Sequence, residues 1–249
     1  MALPIVFLPD TELVLPGRSG LQPALPELET RCADLIQSAL AQIRRNDNSR
    51  HRNDAPPQVA VFYTPRSKFN RPLPGFHIAS QLLLGAGFKG KILDVVTDLD
   101  PKSAPFEGAS LWLIMGTGAA THGPSAPLVI DPLPAAPQRP ETAPDRPETA
   151  PQGLETSNLN AGAQPDPGQM IDAELTRVLQ EGNWRGFKNI DLMRSQEVGA
   201  TLAMAGAAAA RAFSMIENGS CHPQNFHFEQ FGGVTYFAAS WSARKKAAN

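Results

Sequence analysis

Three short stretches carry side chains whose type and spacing could do chemistry, and each lies at the end of an apolar run. Gly116-Thr117-Gly118-Ala119-Ala120-Thr121-His122 follows residues 111–115, Pro9-Asp10-Thr11-Glu12 follows residues 5–8, and Thr64-Pro65-Arg66 follows residues 59–63. An imidazole can take and give a proton near neutral pH. Carboxylates such as those of Asp10 and Glu12 can accept hydrogen bonds or hold a hard cation. Thr64, Arg66, Gly116, Gly118 and Thr121 would line the same pocket if the three stretches meet.

They meet if the apolar runs are parallel strands. Residues 111–115, Leu-Trp-Leu-Ile-Met, form a continuous apolar run bounded by turn formers, the pattern of a strand buried on both faces. Residues 5–8, 59–63 and 92–96 read the same way. Residues 26–43 have apolar side chains at helical spacing (Leu28, Cys32, Leu35, Ile36, Ala39, Ile43), with Pro26, Glu27 and Glu29 at the start and Arg44 and Arg45 at the end. Residues 76–84 are a second helix. Strands alternating with helices predict an α/β fold with a mainly parallel central sheet flanked by helices. Parallel strands end on one side, and ligands of open α/β sheets bind there.

Further along, residues 171–182 predict an amphipathic helix and residues 190–198 a short one. Residues 199–217 predict an alanine-rich helix packed deep against the sheet. Residues 226–231 and 234–239 predict a C-terminal β-hairpin turned by Gly232-Gly233, followed by a polar tail from Ser242. Between Pro132 and Met170 the composition changes. RPETAP occurs twice, at 139–144 and 146–151, within a Pro-, Ala- and Glu-rich stretch without apolar periodicity. Residues 133–169 therefore read as a disordered or polyproline-like insertion within a single domain spanning 1–249.

Composition excludes several classes. The net charge of −2 gives no basic field for nucleic acid. No run approaches the length of a membrane span, and the N-terminal apolar run is too short for a signal peptide, so a cytoplasmic protein is expected. The two cysteines, Cys32 and Cys221, form no metal-type pair and imply no disulfide framework. Neither of the phosphate-binding glycine patterns occurs, nor does G-x-S-x-G, nor an H-x-x-x-H pair. His51, His77, His222 and His227 read as structural or exposed, which leaves His122 as the candidate functional histidine.

The runs MGTGAATHGPSAP, IDAELTRVLQEGN and FEQFGGVTYFAASW, with the alanine-rich helix between the last two, resemble the class III extradiol ring-cleavage dioxygenase superfamily, in its short actinobacterial LigB-like branch. That resemblance implies that Thr121-His122 occupies the place of the family's acid/base histidine, and that Fe(II) or another divalent metal would be the cofactor. It also implies departures. Asp10 stands where the family has its first histidine ligand, Thr64 and its neighbours offer no second histidine, and no position matches the distal carboxylate. The expectation is therefore a binding relative without the usual iron, with His122 left to hydrogen-bond an anion or polar ligand. The alternative is a divergent metal-dependent oxidoreductase acting on an aromatic diol or related small molecule, with Asp10, Glu12 and His122 gathered around a harder metal. A small molecule or a protein would be the partner, and a homo-oligomer is open.

Overall fold

The structure, a computed structural model, describes residues 2–15, 25–48, 56–64, 74–96, 108–122, 166–216 and 221–244. The proline-rich stretch up to residue 165 lies outside the described residues.

Six strands form one sheet: β1 (Ala2–Leu8), β2 (Gln58–Tyr63), β3 (Lys91–Val96), β4 (Leu111–Met115), β5 (Cys221–Phe231) and β6 (Val234–Arg244). Their order across the sheet is β3-β2-β4-β1-β6-β5. The first four are mutually parallel, whereas β6 runs antiparallel to β1 and β5 antiparallel to β6. The sheet is thus mixed, with a parallel body and an antiparallel flank.

The continuous apolar runs have the expected cause. In β4, Trp112 and Ile114 face one core and Leu111, Leu113 and Met115 the other. In β1, Ile5 and Phe7 alternate in the same way with Val6 and Leu8. Helices α1 (Pro26–Asn48) and α2 (Pro74–Gly85) cover one face. The other face is covered by α3 (Pro167–Glu181), α4 (Trp184–Asn189), α5 (Leu192–Glu197) and α6 (Thr201–Ile216). Phe7, Trp184, Phe187 and Trp241 build the centre of that second core, with Phe7 4.7 Å and Trp184 4.9 Å from Trp241 between ring centroids. The indole N–H of Trp241 donates to the carbonyl of Leu179 at 2.8 Å. The small side chains of α6 do what their size permits: Gly206 lies against the ring of Phe187, where a Cβ would collide. Among the described residues no helix is long and apolar enough to cross a membrane.

Four boundaries differ from the sequence reading. Helix α3 begins at Pro167 rather than Ile171, because Asp166 caps it and proline suits its first turn, so the last residues of the expected 133–169 insertion belong to the fold. The short helix expected at 190–198 is Leu192–Glu197, and a further short helix that was not expected, Trp184–Asn189, precedes it. Asn183 and Asp191 each cap a separate segment, and Ile190 between them is extended. The hairpin strands are longer than expected. The polar tail also starts later than Ser242, since Trp241 and Ala243 still alternate into the core as part of β6.

Candidate functional site

Strands β1, β2 and β4 end at one edge, and α6 starts there. Gly116 makes this approach possible: its N–H donates to the carbonyl of Leu8 at 2.9 Å, and a Cβ on it would strike the backbone of Leu202. Leu202 N–H donates to the carbonyl of Thr117 at 2.9 Å. The hydroxyl of Thr201 then becomes a junction. It accepts the N–H of Thr117 at 2.9 Å, lies 3.3 Å from the Thr117 hydroxyl, and donates to Oδ2 of Asp10 at 3.3 Å. A hydroxyl has one proton, and an ionised carboxylate can only accept, so Thr117 donates within the hydroxyl pair. Thr64 donates its own hydroxyl to the carbonyl of Thr201 at 3.1 Å. Asp10 is buried, and so is Tyr236 beside it; burial and the Asp10 charge both push the Tyr236 phenol up.

Beyond Thr117 the chain crosses the end of β1 and lies along the tip of the β5–β6 hairpin. Gly118 N–H donates to Thr235 O at 2.8 Å, Thr235 N–H to Ala119 O at 2.9 Å, and His122 N–H to Gly233 O at 3.0 Å. This places His122 over the first turns of α3. Its Nε2 lies 2.7 Å from Oδ2 of Asp172. Oδ1 of Asp172 accepts the N–H of Ala119 at 2.8 Å, and the Thr235 hydroxyl is a further hydrogen-bond partner of that carboxyl. On the other side of the ring, Nδ1 is 3.7 Å from Oδ2 of Asp166, whose Oδ1 caps α3 by accepting Gly168 N–H at 2.9 Å. The imidazole therefore sits between two carboxylates, with 12% of its side chain exposed.

Burial pushes the Asp172 carboxyl above its ordinary value, against the hydrogen bonds from Thr235, Ala119 and His122 and the charge interaction with His122, all of which lower it. Two glycines clear the space. A Cβ on Gly118 would lie 2.5 Å from Asp172 Oδ1 and 2.7 Å from the Phe237 ring. One on Gly168 would collide with Thr121 Oγ1 and reach 3.4 Å from Cε1 of His122.

The expected pocket residues thus fall into two groups on one edge. Asp10, Thr64, Gly116 and Thr117 meet at Thr201, while Gly118, Thr121 and His122 meet α3. The Thr121 hydroxyl faces Gly168 and finds no hydrogen-bond partner among the described residues. Glu12 is exposed in a 3-10 helix, Glu12–Val14. Arg66 lies outside the described residues.

The described residues do not fit an iron site. Among the described residues no group of three or more His, Cys, Asp or Glu side chains could hold a metal ion. The arrangement of Asp10, Glu12 and His122 around a harder metal is not formed. Nε2 of His122 is taken by Asp172, while Nδ1, 3.7 Å from Asp166, makes no hydrogen bond to it but faces a carboxylate, a setting that disfavours an anion there.

Sequence reasoning missed Asp172, Asp166, Thr201, Thr235 and Tyr236. Asp172 had a signal: it lies on the same helical stripe as Leu175 and Leu179, so a carboxylate occupies a core position. Neither a protein-family model nor a curated protein matches the chain.

Proposed function

We propose that the protein is a binding relative of the extradiol dioxygenases, which takes a small polar molecule at the carboxyl edge of the sheet and does not cleave catechols with iron. The observation that carries this reading is the clamping of His122 between Asp172 and Asp166. An acid/base histidine at an iron centre has to direct a ring nitrogen at the bound substrate. Here Nε2 is taken by Asp172 at 2.7 Å and Nδ1 faces Asp166. Asp10, at the place of a ligating histidine, holds the Thr201 hydroxyl instead. Carboxylates border the edge at Asp10, Asp166 and Asp172, so a ligand presenting hydrogen-bond donors or a cationic group suits it better than a catecholate anion.

One observation favours a second reading. A buried carboxylate 2.7 Å from an imidazole is also how a histidine is oriented as a general base, with Asp172 fixing the tautomer and Nδ1 left to accept a proton. On that reading the protein is a divergent enzyme of the same superfamily, acting on an aromatic diol or related molecule.

The test is purification without oxygen in the presence of Fe(II), followed by metal analysis and by optical assay for ring opening of simple catechols. Iron well below one equivalent and no ring-opened product are expected. Stoichiometric iron, with product that disappears in His122→Ala, would overturn the binding reading.

A further inference from the structure

Strand β5 forms the outer edge of the sheet, hydrogen-bonded to β6 alone among the described strands. Exposed edges of this length are normally blunted by proline, bulges or lysine. The first half of β5 is: it carries Pro223 and a register shift between Pro223 and Asn225. The second half, residues 225–231, has no proline, glycine or lysine, and presents Phe228 with 52% of its surface exposed.

The turn fixes which backbone groups face outward. Gly232 and Gly233 both have positive φ, 57° and 77°, and Phe231 pairs with Val234 across them. A two-residue turn of this kind closes on a hydrogen-bonded pair, and such pairs alternate along an antiparallel ladder. Phe231, Glu229 and His227 therefore bond inward to β6. Phe226, Phe228 and Gln230 direct their N–H and C=O groups away from the sheet.

We propose that this edge pairs with the same edge of a second copy of the chain, antiparallel about Phe228, to make a homodimer with one continuous sheet. In that register the two Phe228 residues exchange both backbone hydrogen bonds, and Phe226 of each copy does the same with Gln230 of the other. Donor and acceptor complementarity decides for this centre: an imidazole meets a carboxylate. His227 of one copy lies opposite Glu229 of the other, twice, in the closer non-hydrogen-bonded positions. Within one chain the two side chains are 25% and 33% exposed, with His227 Nε2 and Glu229 Oε2 buried 3.9 Å apart, so the contact across the interface uses the outer part of each side chain. Phe228 meets Phe228 on the opposite face, covering the exposed ring.

The full chain, its charge variants and an edge-blocked variant are compared by sedimentation equilibrium over a wide concentration range, with circular dichroism and thermal melting as folding controls. The wild type is expected to dimerise. Glu229→Lys removes the acceptor carboxylate opposite His227, and His227→Glu places two carboxylates opposite each other; each is expected to weaken the dimer by up to roughly tenfold, because two pairs change at once. The double variant His227→Glu/Glu229→Lys sets a carboxylate opposite an ammonium and is expected to restore the dimer. Phe228→Lys, at an exposed position, is expected to give a folded monomer. A wild type that is monomeric throughout would overturn the proposal and leave the edge to another occupant, such as residues 123–165. So would a dimer indifferent to both single changes, or a double variant that stays monomeric.

Discussion

Oδ2 of Asp172 lies 2.7 Å from Nε2 of His122, and Oδ1 of the same carboxyl takes the N–H of Ala119 at 2.8 Å. One side chain from α3 thus holds both the histidine and the loop that carries it. Such a carboxyl couples the geometry of the site to the stability of the fold.

The coupling has a sign. Burial raises the Asp172 carboxyl above its ordinary value of 3.8, so the folded state binds its proton more readily than the unfolded chain does. The stability tied to this proton is fully present below pH 3.8 and is lost as pH rises through the raised value. Asp172→Asn removes that proton, and its amide can still accept from Ala119 and donate to a neutral His122 nitrogen. The difference in unfolding free energy between wild type and Asp172→Asn is expected to move in favour of the variant as pH rises above 3.8. Urea unfolding of both proteins over a pH series measures it. A difference that is flat with pH would show that burial does not dominate at Asp172.

Glycines at the edge are expected to separate by what surrounds them. Gly116→Ala drives a methyl into the backbone of Leu202, and Gly118→Ala drives one to 2.5 Å from Asp172 Oδ1. Each is expected to cost about 1–3 kcal/mol, as overpacking does. Gly85→Ala meets nothing within 4 Å at the end of α2, and is expected to be neutral or stabilising by up to about 1 kcal/mol. Denaturant melts followed by tryptophan fluorescence rank the three. A loss at Gly85 equal to that at Gly118 would remove the steric account.

Much of the scaffold was legible because β1, β2 and β4 are buried on both faces, which writes them as unbroken apolar runs, and because α1 carries a complete apolar stripe between its acidic start and basic end. The convergence of Asp10, Thr64 and Gly116 followed from parallel strands alone. The partner of His122 was not legible in that way. Asp172 sits on α3, and its contact spans 50 residues of separation that no local pattern encodes. Thr201 was hidden for a related reason: a threonine at a helix start reads as a local cap, whereas here its hydroxyl joins Thr117 and Asp10. The end of β6 was lost because Ser240 and Ser242 alternate with Trp241 and Ala243, and a half-polar alternation beside a basic terminus reads as a tail.

Cys32 lies on the buried face of α1, and burial, with a smaller push from Glu29, takes its thiol up to about 12. At pH 8 that leaves about one thiolate in ten thousand, so the folded protein should protect it from alkylation. Iodoacetamide treatment with mass mapping is expected to modify Cys32 only after unfolding. Rapid native modification of Cys32 would mean that α1 lifts from the sheet more readily than its packing implies.

The last prediction concerns residues 123–165. His122 and Asp166 bracket this stretch, yet Nδ1 of the one lies 3.7 Å from Oδ2 of the other. The two ends of the stretch therefore lie together, so a short linker can close the gap. Closing a loop costs entropy that grows only with the logarithm of its length, and each halving recovers about 0.6 kcal/mol. Replacing residues 126–163 by a short Gly/Ser linker is therefore expected to leave stability unchanged or slightly raised, with the His122–Asp172 contact intact. A deletion carried on through Gly168 is a different matter. It removes the Asp166 cap, worth about 1 kcal/mol, together with the residue whose missing side chain makes room for Thr121 and the His122 ring. The longer deletion is expected to lower the melting temperature and shift the His122 ring resonances, while the shorter one does neither. Equal loss from both would show that residues 126–163 pack against the domain.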